Sequence, residues 1–473
     1  MSSEERPRDA AVRRLGRGLP LYRVLDVTRA SAWTDLDEDV RGAMGRGAFT
    51  PRPDHSWLTA DGLTADGLTA EGLTAQRQGG WRALLGKAPF GKTPTEAQLA
   101  RALCAPDGRI REAALAHAAR QPAVLPLVAI RTTDWAGPVR EKARAVLAAA
   151  LPTADPGTLA VTVPVLLRIR DRLRAGEGTA LLDELLHNTP ADTLTALLTA
   201  RDLATRRLAI GIATRRGVLG PDELARIAAS DADVAVQDRA ATAVVASDPS
   251  GQTLAVLLGA PYGRVRAAGV TALRRAGRAA DAEPFLYDRS GLVRACARWV
   301  LRQDGTDPLA LYRTACADPG AVPCWAPLGL AECGDQRADL PALWALTGHE
   351  RALVRSSAVA GLRVLEVADF GRLLPLLDDP APGVVREAAR ALLPWADRLP
   401  EQELLRRTGP DRPAHLRIRA VRLLRANGTP AYDETARRLA DDPDPVVRRQ
   451  VRRALGMEEA RPAGTPRPRL WRT

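Results

Sequence analysis

One short pattern recurs along the chain. Residues 439–456 read LADDPDPVVRRQVRRALG, and residues 376–394 read LLDDPAPGVVREAARALLP. In both, a turn rich in Asp and Pro precedes an apolar residue and an arginine, and small or apolar residues follow three and seven positions later. A unit this short cannot bury an apolar face alone. A chain built from it must therefore stack neighbouring copies into one continuous core.

The repeat extends through most of the chain. Near the C-terminus its arginine recurs every 31 residues, and two wider intervals hold degenerate copies at 155–190 and 324–331. We predict twelve units in all. In chain order, the recognisable copies have Arg111, Arg140, Arg206, Gln237, Arg266, Arg294, Arg355, Arg386, Arg417 and Arg448 at the arginine position.

Each period is predicted to form two helices. Pro380 and Pro382 end the first helix, because proline cannot continue the hydrogen-bond ladder of a helix. Val385, Ala389 and Leu392 then recur at i, i+4 and i+7, which places them on one face of a second helix. The expected fold is therefore all-α, an α-solenoid of about twelve stacked antiparallel helix pairs.

The composition fits a thin helical core. Aromatic residues make up 4% of the chain against 46% hydrophobic residues, which argues against a β-sandwich or barrel. Small residues midway along the second helices are predicted to let neighbouring helices approach closely. These residues are Ala143, Ala297, Ala358, Ala389 and Ala420.

The segment DPDPVVRRQVRRAL (442–455) resembles the HEAT-like repeat, especially the short bacterial form of about 31 residues found in phycobilin-lyase-type repeat proteins. The resemblance covers about residues 95–456 and implies an ARM/HEAT-like superhelix. In this family an Asp of the turn commonly bonds the repeat arginine and ties adjacent repeats together. The resemblance thus implies a structural ladder, broken at Gln237, whose members include Asp134, Arg140, Asp288, Arg294, Asp411, Arg417, Asp442 and Arg448.

The first 94 residues differ from the repeats. Residues 59–75, TADGLTADGLTAEGLTA, are three copies of a pentapeptide and are typical of a linker. We expect an N-terminal helical or partly disordered segment (1–58), this linker, a connecting segment (76–94), the repeat array (95–456) and a basic disordered tail (457–473).

The formal net charge of +12 does not by itself indicate nucleic-acid binding. Only three of the 68 basic residues are lysines, an arginine bias that a GC-rich coding sequence would produce. Residues 461–473 hold four arginines and no acid, whereas residues 95–460 hold 50 basic and 44 acidic residues. The repeat array is therefore only weakly charged as a whole.

No motif for catalysis, a cofactor or a metal is present. The five histidines lie far apart, and no HExxH, Walker A or Gly-x-Ser-x-Gly sequence occurs. The five cysteines form no Cys-x-x-Cys pair, which favours a reducing, cytoplasmic setting. A secretory signal and an apolar stretch long enough to span a membrane are both missing. We expect no catalytic residue, no cofactor, no metal and no membrane association.

One pattern points to a binding surface. Positions four and eight after the repeat arginine lie on one face of the second helix, which lines the concave side of such arrays. From Arg266 onward, each recognisable repeat has an arginine at one or both of these positions, whereas in the earlier repeats only Arg144 is basic there. This arginine stripe comprises Arg274, Arg298, Arg302, Arg363, Arg390, Arg425 and Arg452. Two interpretations remain open: compositional bias on a solvated face, or a site for an acidic protein segment or a nucleic-acid backbone.

The leading hypothesis is a non-enzymatic scaffold that binds a protein partner, with an acidic segment of that partner on the concave surface. The alternative is a nucleic-acid-binding HEAT-like array. It would include an alkylpurine DNA glycosylase-like activity at Asp134 and Trp135, but the ladder already uses Asp134. A stripe without interleaved exposed aromatics offers little base stacking, which favours the protein partner. A lyase acting on a chromophore protein is a third hypothesis, suggested by the repeat type alone.

Overall fold

The computed structural model describes residues 7–45 and 94–457. All regular secondary structure in these ranges is helical, and no β-strand occurs among them. The helices divide into two units, which lie within Met1–Ser247 and Asp248–Thr473.

In the described part of the first unit, residues 7–45 and 94–247, three helices precede five helix pairs. The N-terminal helices are α1 (Pro7–Gly16), α2 (Leu21–Val24) and α3 (Ala30–Gly45). The pairs are α4 (Glu96–Leu103) with α5 (Gly108–Ala118), α6 (Leu125–Arg131) with α7 (Gly137–Ala150), α8 (Pro156–Ile169) with α9 (Gly176–Asn188), α10 (Ala191–Leu197) with α11 (Leu203–Arg216), and α12 (Pro221–Ser230) with α13 (Val234–Ala246). Short 3₁₀ turns occupy Pro122–Val124 and Leu151–Thr153.

The second unit has seven pairs. They are α14 (Gly251–Leu258) with α15 (Gly263–Arg275), a 3₁₀ segment (Ala279–Tyr287) with α16 (Gly291–Gln303), α17 (Pro308–Ala317) with α18 (Ala326–Cys333), α19 (Gln336–Leu346) with α20 (Ala352–Val364), α21 (Phe370–Leu373) with α22 (Pro382–Leu392), α23 (Glu401–Arg406) with α24 (Ala414–Asn427), and α25 (Ala431–Ala440) with α26 (Pro445–Ala454). Further 3₁₀ segments cover Leu374–Asp378 and Leu393–Arg398. Five and seven pairs make up the predicted twelve, and the α-solenoid prediction is confirmed.

The turn chemistry explains where the second helices begin. The side chains of Asp107, Asp202 and Asp444 each accept a hydrogen bond from a backbone N–H in the first turn of the following helix. These bonds satisfy donors that the helix itself cannot pair. Proline at the first or second helical position, as at Pro382 and Pro445, costs no hydrogen bond because those N–H groups have no partner in the helix.

Second helices pack directly on second helices within each unit. In the second unit α20, α22, α24 and α26 form one such succession, each in contact with the next. The alanines predicted to permit close approach all lie buried between helices: Ala143, Ala297, Ala358, Ala389 and Ala420. The core at the C-terminal end is a thin seam of Ala, Leu and Val side chains, among them Val421, Leu439 and Val447. Few aromatics are needed to fill such a seam.

The N-terminal helices pack onto the first repeats. Helix α3 contacts α6 and α8 and buries Trp33, whose indole nitrogen donates to the carbonyl oxygen of Val27 at 2.9 Å. Because residues 46–93 and 458–473 fall outside the described ranges, the pentapeptide linker, most of the connecting segment and almost all of the basic tail do too. The predicted domain boundaries stay a proposal.

Candidate functional site

The repeat arginines link neighbouring repeats. Arg111 on α5 donates from Nε and one Nη to both carboxylate oxygens of Asp134 in the next repeat, at 2.9 and 2.8 Å. Its other Nη donates to the carbonyl oxygens of Ala105 and Pro106, both at 2.8 Å. Each guanidinium thus joins its own turn to the acid of the following turn. The same type of pair joins Arg206 to Asp231, Arg266 to Asp288, Arg355 to Asp379 and Arg417 to Asp442.

The turn aspartates Asp134, Asp288 and Asp442 lie six residues before an arginine of their own repeat, but their carboxylates do not bond that arginine. Arg140 and Arg448 donate to the main-chain carbonyl oxygens of Asp134 and Asp442, at 2.8 and 2.6 Å. The carboxylates of these aspartates point to the arginine of the preceding repeat instead. Arg294 likewise donates a hydrogen bond to the carbonyl oxygen of Asp288, at 2.7 Å. An arginine in the first helical turn donates to the backbone of the preceding turn. The aspartate carboxylate of that turn can therefore bond the arginine of the preceding repeat.

Asp411 does not take part in this ladder. Its side chain is 73% exposed, and its carboxylate bonds the adjacent Arg412 at 3.3 Å. Arg417 has its acid in Asp442, one repeat further on. The sequence placed Asp411 correctly in the turn, but the local backbone turns its carboxylate to solvent.

Gln237 forms the main-chain hydrogen bond that the repeat arginine forms elsewhere, but no ion pair. Its side chain is buried, and its amide Nε2 donates to the carbonyl oxygen of Asp231 at 2.6 Å. The amide thus replaces the main-chain bond of the ladder without introducing a buried charge. The predicted break concerns only the ionic half of the pair.

The ladder favours ionised aspartates. Burial raises the pKa of Asp134, but hydrogen bonds from Arg111 and from the Ala136 N–H outweigh it and lower the pKa below its usual value. The same balance lowers the pKa of Asp288, where Arg266 and the Ser290 N–H oppose the effect of burial. These buried carboxylates are structural partners of arginine.

Three acids missed by sequence reasoning complete the network. Asp37 on α3 bonds Arg131, and Arg131 also reaches Asp134 at 3.2 Å, which joins the N-terminal helices to the ladder. Glu332 bonds Arg294 in place of a turn aspartate, and Glu387 collects arginines of two helices. Glu332 lies in a degenerate repeat and Glu387 immediately follows a repeat arginine, so the repeat pattern gave no signal for either.

Contacts within the chain occupy four of the seven stripe arginines. Arg298 is nearly buried and donates to Glu332 at 2.6 Å, whereas Arg363 and Arg390 lie 3.6 and 2.7 Å from Glu387. Arg452 bonds Asp441 at 2.8 Å and the carbonyl oxygen of Ala440.

The remaining three stripe arginines are exposed. The Arg274 guanidinium lies 5.3 Å from the ring centroid of Trp299. Arg302 and Arg425 carry no hydrogen bond or ion pair with any residue that the structure describes. Four of the seven stripe arginines thus lie beside a carboxylate, and two of these four, Arg363 and Arg390, share Glu387.

Two exposed tryptophans lie beside arginines, and one of them, Trp299, accompanies the stripe, contrary to the sequence expectation. Trp299 is 43% exposed beside Arg274, one helix along from it. Trp135 is 65% exposed, with the Arg111 guanidinium 5.7 Å from its ring centroid. The sequence pattern could not distinguish these rings from core residues, because Trp299 precedes the apolar Val300 of α16 and Trp135 precedes Ala136 in the turn before α7.

The cysteines and the possible metal ligands form no reactive site among the described residues. Cys104 and Cys316 are buried, and burial raises the pKa of the Cys316 thiol to about 12. Among the described residues, no group of three or more His, Cys, Asp and Glu side chains could hold a metal ion. In the same ranges, no helix combines the length and apolarity needed to cross a bilayer.

No protein-family model matches the chain, and no curated protein matches it. Among solved structures, the chain is similar to Kap121p, with 14% identity, a TM-score of 0.24, and coverage of 91% of this chain and 50% of Kap121p. It is also similar to a triple mutant of Kap121p, with 13% identity, a TM-score of 0.25, and coverage of 95% and 53%. The chain spans about half the length of these proteins. Its own stacked helix pairs show the fold, an α-solenoid.

Proposed function

We propose that this chain is a non-enzymatic scaffold that binds an acidic segment of a partner protein. The binding surface would be the concave one, formed by the second helices of the second unit. The repeats would be of the short bacterial type, and the protein would act in the cytoplasm. No part of this proposal requires a cofactor or a metal.

One observation carries the proposal. Arg302 and Arg425 lie on second helices, are exposed, and have no bonded partner in the described part of the chain. Most ladder arginines, by contrast, bond a carboxylate of a following repeat, as Arg206, Arg266 and Arg355 do. Free guanidinium groups bind carboxylates through paired, charge-assisted hydrogen bonds, so these positions suit an acidic peptide.

The test is a charge reversal that leaves the ladder intact. The double variant Arg302→Glu/Arg425→Glu should bind a fluorescently labelled oligoglutamate peptide at least about tenfold more weakly, as measured by anisotropy. In affinity purification from the native host, the same variant should lose a stoichiometric partner protein. Arg298 is unsuitable for reversal, because its bond to Glu332 would be replaced by repulsion inside the protein.

The matched control is Arg337→Glu/Arg437→Glu. Both residues are exposed arginines on first helices, α19 and α25, so the change in net charge is the same. Equal weakening by the control and the stripe variant would mean that net charge alone drives binding, which would contradict the proposal.

Nucleic-acid binding is the second candidate, and Trp299 favours it. An exposed indole beside Arg274 could stack on a base while the guanidinium contacts the backbone. Binding of single-stranded oligonucleotides should then fall steeply with salt and should weaken in Trp299→Ala. A shallow salt dependence that Trp299→Ala leaves unchanged would exclude this candidate.

The glycosylase-like activity loses support from the surroundings of Asp134. Its carboxylate is almost fully buried and bonded to Arg111 and Arg131. A carboxylate held in this way is not free to act on a base at the exposed Trp135.

A further inference from the structure

The ladder changes at Arg386. This residue stands at the repeat arginine position of α22, but its Nε bonds the neighbouring Glu387 at 3.2 Å, and its side chain is 47% exposed. Arg407, which directly follows α23, instead bonds Asp378 at 2.6 Å and is buried. The link between these repeats is therefore made without Arg386, which is released to the surface.

Arg386 is one of four arginines that line the same surface cavity. Arg386 and Arg390 on α22 face Arg419 and Arg422 on α24 across this shallow surface cavity. We call these four residues the arginine cluster. Ala389, Leu393 and Leu423 supply the remaining, apolar part of the cavity lining.

The carboxylate of Glu387 is the acidic group that contacts arginines of this region. Glu387 is nearly buried; its Oε1 contacts Arg386 and Arg390, at 3.2 and 2.7 Å, and its Oε2 lies 3.6 Å from Arg363 on α20. Arg419 and Arg422 have no hydrogen-bonded partner within the described ranges. Five guanidinium groups thus share a single negative charge.

The excess of positive charge affects the pKa of Arg419, a member of the cluster. Burial lowers the pKa of Arg419, and the positive charges of Arg422, Arg390 and Arg386 lower it further. A bound anion would relieve this repulsion, and the partial burial would strengthen its attraction to the guanidinium groups.

We infer that the arginine cluster anchors the acidic segment by binding at least two of its carboxylates. This inference rests on the proposed function and gives it a specific site. The planar guanidinium groups match carboxylates in paired hydrogen bonds, and Leu393 and Leu423 suit the methylene groups of glutamate side chains. No aromatic ring lines this cavity, so a base would find no stacking partner there.

Glu387 acts in this scheme as an internal counter-ion that competes with the ligand. Glu387→Gln keeps an oxygen acceptor for Arg386 and Arg390 but removes the negative charge. This variant should therefore bind oligoglutamate several-fold more tightly than the native chain. A purely structural role for Glu387 predicts the opposite sign, weaker binding.

The decisive variant is Arg419→Gln/Arg422→Gln in the full chain, compared with Arg337→Gln/Arg437→Gln as the control. Binding of labelled oligoglutamate should weaken at least about tenfold in the first variant and stay unchanged in the control. Circular dichroism and thermal melting of each variant establish that it is folded. Because Glu387→Gln predicts a gain, misfolding cannot imitate its result.

The outcomes separate this inference from the proposed function. Native affinity in Arg419→Gln/Arg422→Gln, together with loss in Arg302→Glu/Arg425→Glu, would overturn the anchor and leave the scaffold proposal standing. Native affinity in both variants would overturn both. Tighter binding of oligothymidylate or inorganic phosphate than of oligoglutamate, lost in the same cluster variant, would overturn the carboxylate assignment.

Discussion

The Arg111 guanidinium forms two hydrogen bonds with Asp134, 23 residues further along the chain, and both side chains are almost completely buried. This bond joins the turn before α5 to the turn before α7. Asp134 also holds Arg131, which in turn bonds Asp37 of α3. One carboxylate therefore connects two repeats with the N-terminal helices.

Asp134→Ala should be strongly destabilising. It leaves two buried guanidinium groups, Arg111 and Arg131, short of a counter-charge, which costs about 3–5 kcal/mol of unfolding free energy. Urea unfolding followed by circular dichroism measures this loss. Asp411→Ala is the matched control, because this turn aspartate is exposed, and its loss should cost less than about 0.5 kcal/mol. Equal losses in both variants would refute the ladder as a source of stability.

The ladder predicts stability that depends on acid pH. The pKa of Asp288 is lowered from 3.8 in the folded protein, so its contribution is complete above that value and disappears as the pH falls through the folded pKa. Asp288→Asn should therefore destabilise the protein at neutral pH, and the difference from native should shrink at pH values below 3.8. Arg266→Gln, which removes the partner, should reduce the same pH dependence. Thermal melts of all three proteins across this range test the sign, and a difference that grows on acidification would contradict it.

Glu332 should be as important as the turn aspartates. Glu332→Ala leaves Arg294 and Arg298 without their carboxylate, and Arg294 is buried, so a loss of about 3 kcal/mol is expected in chemical unfolding. Glu350→Ala, an exposed acid of a nearby turn, serves as the control. A loss no greater than that of the control would mean that water replaces Glu332 at both arginines.

Two helical glycines should respond to alanine with opposite signs. A methyl group at Gly329 would overlap the ring of Tyr312, which is buried and donates its hydroxyl to the Leu286 carbonyl at 2.7 Å. Gly329→Ala should cost about 1–3 kcal/mol through overpacking. At Gly383 the nearest atom to a new methyl is Ser356 Oγ at 3.5 Å, so Gly383→Ala should add about 0.5 kcal/mol by its helix preference. Melting temperatures that shift in the same direction in both variants would contradict this assignment.

The binding surface was only partly accessible to sequence reasoning. Helical spacing placed Arg298, Arg363 and Arg390 on a common stripe, but each of them meets a glutamate in its own helix or in the second helix of the next pair. Conversely, Arg386 was assigned to the ladder by its position in the repeat, and it belongs to a surface cluster instead. Periodicity within one helix does not reveal which charge the adjacent helix supplies.

The sequence by itself determined the helix-pair repeat. Prolines and capping aspartates set the helix ends, and the spacing of Ala, Leu and Val set the buried face, all through interactions within a few residues. Only the tertiary structure decided which acid each arginine meets. Between repeats of the ladder those partners lie 22 to 38 residues away, as in Arg266–Asp288 and Arg294–Glu332, and a buried guanidinium binds whichever carboxylate the stacked helices bring into reach. That choice gives most of the ladder arginines a carboxylate partner, whereas Arg302, Arg419, Arg422 and Arg425 have no hydrogen-bonded partner among the described residues.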